Sequence, residues 1–351
     1  MLTTKQIQEI REHLEKAQNP IFYYDNDADG LCAFLLLRKF IDRGKGVAIR
    51  SYPDLHASYA RKAQELNADY VFVLDKPVLS SGFVEEIHKM ALPLVWIDHH
   101  ELQTEDFEKK YDNFYSYNPA NNKEKDKSFE PVSYLAYKIS KRKEDYWISL
   151  MGCIADHYLP DFAPDFEKEY PDLWAKNIKE PFQAYFETEL GKIAQSLNFG
   201  IKDSTSHIVQ MQNYLLSCKS PKDVLAESPK NAQFRTKCLD IRRKYDLLIE
   251  RAKKELNKNL LFFEYSGELS ISSEVSNEIH HFYPKKYIAI AYKNGAIVNL
   301  SLRGKDVKKI LSKILPELNH ASGGGHDDAV GARMRLEDLP KFRMLLEKEV
   351  N

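Results

Sequence analysis

Tyr24-Asp25-Asn26-Asp27-Ala28-Asp29-Gly30 sets three carboxylates at alternate positions and closes on a glycine. An apolar run (21–24) precedes it and a helix-like run (31–40) follows. Carboxylates this close repel one another and raise each other's pKa. A cation neutralises such a cluster, so the stretch reads as a metal site at a strand end. Asp-x-Asp-x-Asp-Gly also opens an EF-hand calcium loop, but that loop needs a glutamate at its twelfth position and a helix in front. Counting from Asp25, the twelfth residue is Leu36, and the preceding segment is strand-like, which argues against an EF-hand. The competing reading is a solvated acidic turn capping the next helix, where carboxylates suit the N-terminal dipole. Only partners elsewhere in the chain decide between a metal site and a cap.

Those partners come from the same half of the chain. Apolar runs at 21–24, 47–52, 70–74 and 94–97 alternate with helical patterns at 31–41, 59–66 and 84–90. This alternation predicts βαβ units and an α/β fold with a mostly parallel sheet and flanking helices. Ligands of such sheets sit at the carboxyl ends of the strands. Three of the four strands end in aspartate, at Asp25, Asp75 and Asp98, which packing does not explain. Asp98-His99-His100 adds imidazoles to the carboxylates, and Asp156 closes an apolar helical segment (146–154). Histidine among carboxylates favours Mn²⁺, Fe²⁺, Co²⁺ or Zn²⁺ over Ca²⁺. The excess of carboxylates puts Mn²⁺ or Mg²⁺ first.

A polar, lysine-rich loop is expected at 121–127, and an acidic aromatic segment runs from 158 to 174. Segment 219–230 reads as a linker. From Phe234 the apolar positions Cys238, Ile241, Tyr245, Leu248, Ala252 and Leu256 recur every three or four residues, the mark of one long amphipathic helix with a basic outer face. A second, smaller α/β domain follows, with strands at 260–265, 287–292 and 297–302 and helices at 273–281, 306–314 and 339–348. Ser301 and Arg303 fall on one side of the last strand, and Arg suits bidentate phosphate contact. Ser322-Gly323-Gly324-Gly325-His326 offers a backbone that a ligand can approach closely, as an anion nest or as a hinge. His280-His281 reads as an ordinary surface pair. The basic runs 138–143, 242–244 and 305–309 are solvated faces or phosphate tracks.

At 351 residues the chain is long enough for two cores, and 43% hydrophobic with 29% charged residues is an ordinary soluble composition. A net charge of −1 excludes a globally positive field, so any nucleic acid would be held by a local patch or by metal. Four cysteines without CxxC spacing argue against a zinc knuckle or a disulfide framework and for a reducing, cytoplasmic compartment. No apolar run reaches the ~18–20 residues a membrane span needs, and 1–16 has no signal-peptide core, so no membrane partner is expected.

Taken in order, the acidic loop, Asp75, Asp98-His99-His100, Asp156, Ser301-Leu302-Arg303 and Gly323-Gly324-Gly325-His326 resemble the DHH phosphoesterase superfamily, in the branch with a DHHA1 domain. The layout is most similar to RecJ-like nucleases, archaeal relatives included, and to oligoribonucleases. The resemblance implies a DHH domain over 1–200, a helical linker over 201–258 and a DHHA1 domain over 259–351. It implies two divalent ions, Mn²⁺ first with Mg²⁺ or Co²⁺ as substitutes, on Asp25, Asp27, Asp29, Asp75, His99 and Asp156, with Asp75 bridging. Asp98 would orient the histidines and His100 would face the scissile phosphate. Ser301, Arg303, Gly323, Gly324, Gly325 and His326 would hold the substrate from the second domain. Asn26, where the family commonly has His or Tyr, and the acids Asp327-Asp328 depart from the pattern. The implied activity is two-metal hydrolysis by a single-strand-specific exonuclease acting on DNA, RNA or short oligonucleotides, with replication or repair proteins as partners. Two alternatives stand: a phosphodiesterase of small nucleotides (cyclic or linear dinucleotides, phosphoadenosine phosphate), and an inactive Cdc45-like replication scaffold. An inorganic pyrophosphatase is disfavoured, because that branch lacks the Gly-Gly-Gly-His run.

Overall fold

In the computed structural model, residues 1–51, 54–100, 106–122, 130–257 and 259–350 are described. The chain divides into two compact units, 1–238 and 239–351, each with its own core.

In the first unit, helix α1 (Thr4–Lys16) opens on a capping box in which Thr3 and Gln6 satisfy each other's backbone N–H. Strand β1 (Pro20–Asp25) leads through the acidic loop to α2 (Ala28–Ile41), whose N-cap is Asp27. Then follow β2 (Lys45–Ile49), β3 (Tyr70–Leu74), α3 (Ser81–Lys89), β4 (Leu94–Ile97) and β5 (Phe114–Tyr117). The five strands form one parallel sheet in the order β2-β1-β3-β4-β5. In a sheet of this order the connections reverse between β1 and β3, so a crevice opens at their carboxyl ends. The strands read as continuous apolar runs because both faces are covered. Phe22, Tyr24, Phe72 and Leu74 face a core shared with α2, α4 (Val132–Ser140) and α5 (Tyr146–Ala155). Ile21, Tyr23, Val71 and Val73 face a second layer with Leu55, Phe83 and Ile87.

Two expectations in this unit shift. The strand expected at 47–52 ends at Ile49, with Tyr52 outside the described residues, and β5 was not foreseen. Most of the loop expected at 121–127 also lies outside the described residues. The acidic segment 158–174 contains a helix, Ala163–Glu169, whose Phe166 is buried in the main core. Helix α6 (Thr205–Ser217) packs Met211 and Leu215 into that core too.

The long helix α7 (Ala232–Lys254) precedes a five-stranded mixed sheet. Its elements are β6 (Leu260–Ser266), α8 (Ser272–Phe282), β7 (Tyr287–Asn294), β8 (Ile297–Arg303), α9 (Val307–Ile314), β9 (Ala321–His326), β10 (Ala329–Arg335) and α10 (Leu339–Val350). The order is β9-β10-β8-β7-β6, with only β6 and β7 parallel. Leu300, Leu302, Val330 and Met334 bury against α9 and α10. Among the described residues, no helix is long and apolar enough to cross a membrane.

Candidate metal centre and phosphate shelf

The acidic loop is shaped by its glycine. A Cβ on Gly30 would lie 2.8 Å from both the backbone nitrogen and the carbonyl oxygen of Asp25. Only glycine lets the first turn of α2 sit this close to the end of β1. Asp27 Oδ1 accepts the Gly30 N–H at 2.9 Å, so the capping reading of this loop is correct for one carboxylate. Asp29 turns inward, 1% exposed, and accepts the backbone N–H groups of Val132 (2.7 Å) and Ser133 (2.9 Å). It caps α4 from another element, where Pro131 offers no side-chain acceptor.

The neighbouring strands bring further groups to the same edge. Asp75 is buried and adopts the left-handed backbone, φ 57°, which turns the chain sharply as it leaves β3. His99 Nε2 lies 3.4 Å from Asp75 Oδ1 and 3.6 Å from Asp156 Oδ2, and Asp156 stands at the C-cap of α5. Buried Asp98 accepts the His100 backbone N–H at 3.1 Å and pairs with its Nδ1 at 2.9 Å. Two residues that sequence reasoning missed brace this edge. Asn118, just past β5, donates to the His100 carbonyl at 2.8 Å. Lys76 is fully buried, and its Nζ donates to Asp25 Oδ1 at 2.7 Å. The only sequence signal for either was its place beside a strand end.

Two sets of donor atoms each fall within 4.8 Å of one another: Asp75, His99 and His100, and Asp29, His99 and Asp156. The electrostatics fit a cation. Burial, then the charges of Asp25 and Asp29, push the Asp27 carboxyl up to about 7, and it shares a hydrogen bond with Asp75. Burial and the surrounding carboxylates also raise Asp75 and Asp156 well above the usual range. A divalent ion would relieve that repulsion, and oxygen donors with one or two imidazoles suit Mn²⁺, Mg²⁺ or Co²⁺. His100 is raised, because its contact with Asp98 outweighs the burial that opposes its charge.

The second unit holds a different surface. Residues directly opposite each other on antiparallel strands share a face. Ser301, Gly331 and Gly324 therefore line up across β8, β10 and β9, and so do Arg303, Ala329 and His326. Helix α8 covers the β8 end of this face: Ser272 Oγ meets Ser301 Oγ at 3.0 Å, and Arg303 Nε donates to Asn277 Oδ1 at 2.6 Å. Across β9 and β10 the face is open, with nothing within 4 Å of where a Gly324 Cβ would stand. The result is a glycine-floored shelf edged by Arg303 and His326. The run 321–326 is thus an edge strand rather than an anion nest. Gly323 and Gly325 are needed because a Cβ would strike the β10 backbone at 2.6 and 2.5 Å. Burial pulls the Arg303 guanidinium down to about 10. His280, expected as an exposed partner of His281, is half-buried, and burial and the nearby Arg303 charge hold it below its usual range. Asp328, one of the two acids that depart from the family pattern, accepts the Asp306 N–H at 2.8 Å ahead of α9.

Each basic run is neutralised locally in part. Arg142 pairs with Glu144 at 2.9 Å, Lys244 with Asp240 at 3.0 Å and Lys309 with Asp306 at 2.6 Å.

A family model described as the DHH family, N-terminal domain, matches residues 21–159, and one described as the DHHA1 domain matches residues 257–351. No curated protein matches the sequence. Among solved structures, the chain is similar to exonuclease RecJ bound to manganese (TM-score 0.66, 14% identity, covering 99% of this chain and 94% of that one). It is similar to RecJ from Thermus thermophilus in complex with Mn²⁺ (TM-score 0.65, 12% identity, 98% of this chain), and spans 53% of that chain. It is also similar to the pGpG-specific phosphodiesterase PggH from Vibrio cholerae (TM-score 0.51, 13% identity, 94% of this chain and 98% of that one). At these identities the likeness is one of fold.

Proposed function

The chain belongs to the DHH/DHHA1 phosphoesterase superfamily, and on that premise we propose that it hydrolyses phosphodiester bonds with divalent ions, Mn²⁺ first, as a single-strand exonuclease on DNA, RNA or short oligonucleotides. The observation that carries this reading is the convergence of Asp29, Asp75, His99, His100 and Asp156 into overlapping donor sets at the carboxyl edge of the sheet. Bound there, a divalent ion supplies a Lewis acid and a water of lowered pKa. Asp29, Asp75, His99 and Asp156 would hold it, with Asp27 joined to them through Asp75. Asp98 fixes His100 through Nδ1 and favours its protonated form, so Nε2 is the atom that donates to a phosphate oxygen. In the second unit, Arg303, His326 and the glycine floor take the substrate's phosphate or terminus, where small residues allow close approach. The decayed-scaffold alternative is disfavoured because every position that should carry a ligand carries one.

The test is product analysis on end-labelled single-stranded DNA and RNA 20-mers and on a dinucleotide, each with Mn²⁺. Stepwise release of mononucleotides from the 20-mer, faster than dinucleotide cleavage, is the expected result. A preference for the dinucleotide would replace the exonuclease by the small-nucleotide reading. One observation favours that second reading: the net charge is −1 and each basic run is partly paired with local acids, which suits a short substrate better than a long one.

A further inference from the structure

We propose that Lys76 is the permanent counter-ion of Asp25, and that the divalent ions are held by Asp27, Asp29, Asp75, His99 and Asp156 without Asp25; this rests on the metal-centre reading above. Lys76 has no solvent exposure at all. A lysine is almost never buried so completely unless its charge is paired, because desolvating an ammonium costs several kcal/mol. Its Nζ donates to Asp25 Oδ1 at 2.7 Å and to the Ser51 carbonyl at 2.6 Å. These contacts tie the turn after β3 to the ends of β1 and β2.

Asp25 is committed by this contact. It belongs to neither donor set found among the described residues. Asp27 also stands outside those sets, but is hydrogen-bonded to Asp75, a member of one of them. Charge matching points the same way. Asp27, Asp29, Asp75 and Asp156 carry together the charge that two divalent ions neutralise. A fifth carboxylate would leave the centre anionic, and the Lys76 ammonium cancels it. Lys76 is therefore a positioning residue: it sets the charge and membership of the centre without touching substrate.

The test is Mn²⁺ binding by calorimetry to the full chain. Asp25→Asn alone strands a buried ammonium and lowers stability, so the informative protein is the charge-neutral pair Asp25→Asn with Lys76→Met. It is expected to bind as many Mn²⁺ per chain as the wild type, with affinity within threefold. Loss of an ion, or a fall beyond threefold, overturns the proposal. If the pair does not fold, the wild-type protein decides. The ¹⁵Nζ signal of Lys76, assigned by its loss in Lys76→Met, should keep its position through saturation with diamagnetic Mg²⁺. Its displacement or disappearance would mean that Asp25 leaves Lys76 for the metal, and would overturn the proposal. Asp75→Asn separates the two levels: if it binds Mn²⁺ like the wild type, the metal-centre reading itself fails, whatever Lys76 does.

Discussion

His99 belongs to both donor sets, and Asp75 faces it in one of them. Asp75→Asn and His99→Ala should each lower Mn²⁺-dependent hydrolysis by at least ~100-fold, beyond the 10–100-fold typical of outer-shell changes. Metal-free Asp75→Asn should melt no lower than the wild type, since it removes a buried carboxylate among others of like charge. Initial rates and a melting curve in chelator check both halves. Asp98→Asn reports on the neighbouring histidine. His100 is raised mainly by Asp98 working against burial, so without the carboxylate its pKa falls. If the protonated ring serves the reaction, the alkaline limb of the pH–rate profile moves to lower pH. An unmoved limb would take His100 out of proton donation. At this scale the sequence pointed to acids that the fold gathers at one edge, Asp29, Asp75 and Asp156 among them, and said little of the contacts each makes there. Asp27 and Asp29 look alike in the motif, yet one caps its own helix while the other caps α4, more than a hundred residues on. Lys76 was invisible, because a lysine after a strand is ordinarily solvated and only tertiary burial gives it a role.

The elements place these groups through close backbone approaches. Gly30→Ala should destabilise the fold by about 1–3 kcal/mol, the usual cost of forcing atoms into a packed site, since its Cβ would meet Asp25 backbone at 2.8 Å. Mn²⁺ affinity should fall with it, as measured by denaturation and calorimetry on one protein. Gly331→Val makes the opposite separation: a side chain standing on the open shelf should raise KM with little effect on Mn²⁺ binding. The strands β1 to β4 of the first unit were legible because each is an apolar run with turn residues at its ends; β5, Phe-Tyr-Ser-Tyr, is too short and too mixed to stand out. The strands β9 and β10 were not. A Ser-Gly-Gly-Gly-His segment carries no strand propensity, and only its pairing with β10 gives it that form.

For the molecule as a whole, the buried acids make stability depend on pH and metal together. Asp27 moves from an ordinary 3.8 to about 7 on folding. A raised folded pKa means the folded state binds more protons, so its stabilising contribution is complete below about pH 3.8 and lost as pH rises through about 7. In chelator the melting temperature should therefore fall between about pH 4 and about pH 8, and excess Mn²⁺ should restore it most at the alkaline end. A melting temperature flat with pH in chelator would contradict the coupling. The partial pairing of the basic runs, with a net charge of −1, predicts a shallow salt dependence of oligonucleotide binding. Affinity should drop less than about tenfold between 50 and 200 mM salt, against about 10³–10⁵ for proteins with 6–10 phosphate contacts. Anisotropy titrations at both salt concentrations measure it.

The left-handed turn at Asp75 limits the routes by which such a centre could fall silent. At φ 57° the backbone accepts asparagine or glycine with little strain and resists β-branched residues. A lineage abandoning hydrolysis while keeping the fold would thus pass most readily through Asn or Gly at position 75. Such a descendant would carry an intact scaffold and a single uncharged side chain as the record of what it had lost.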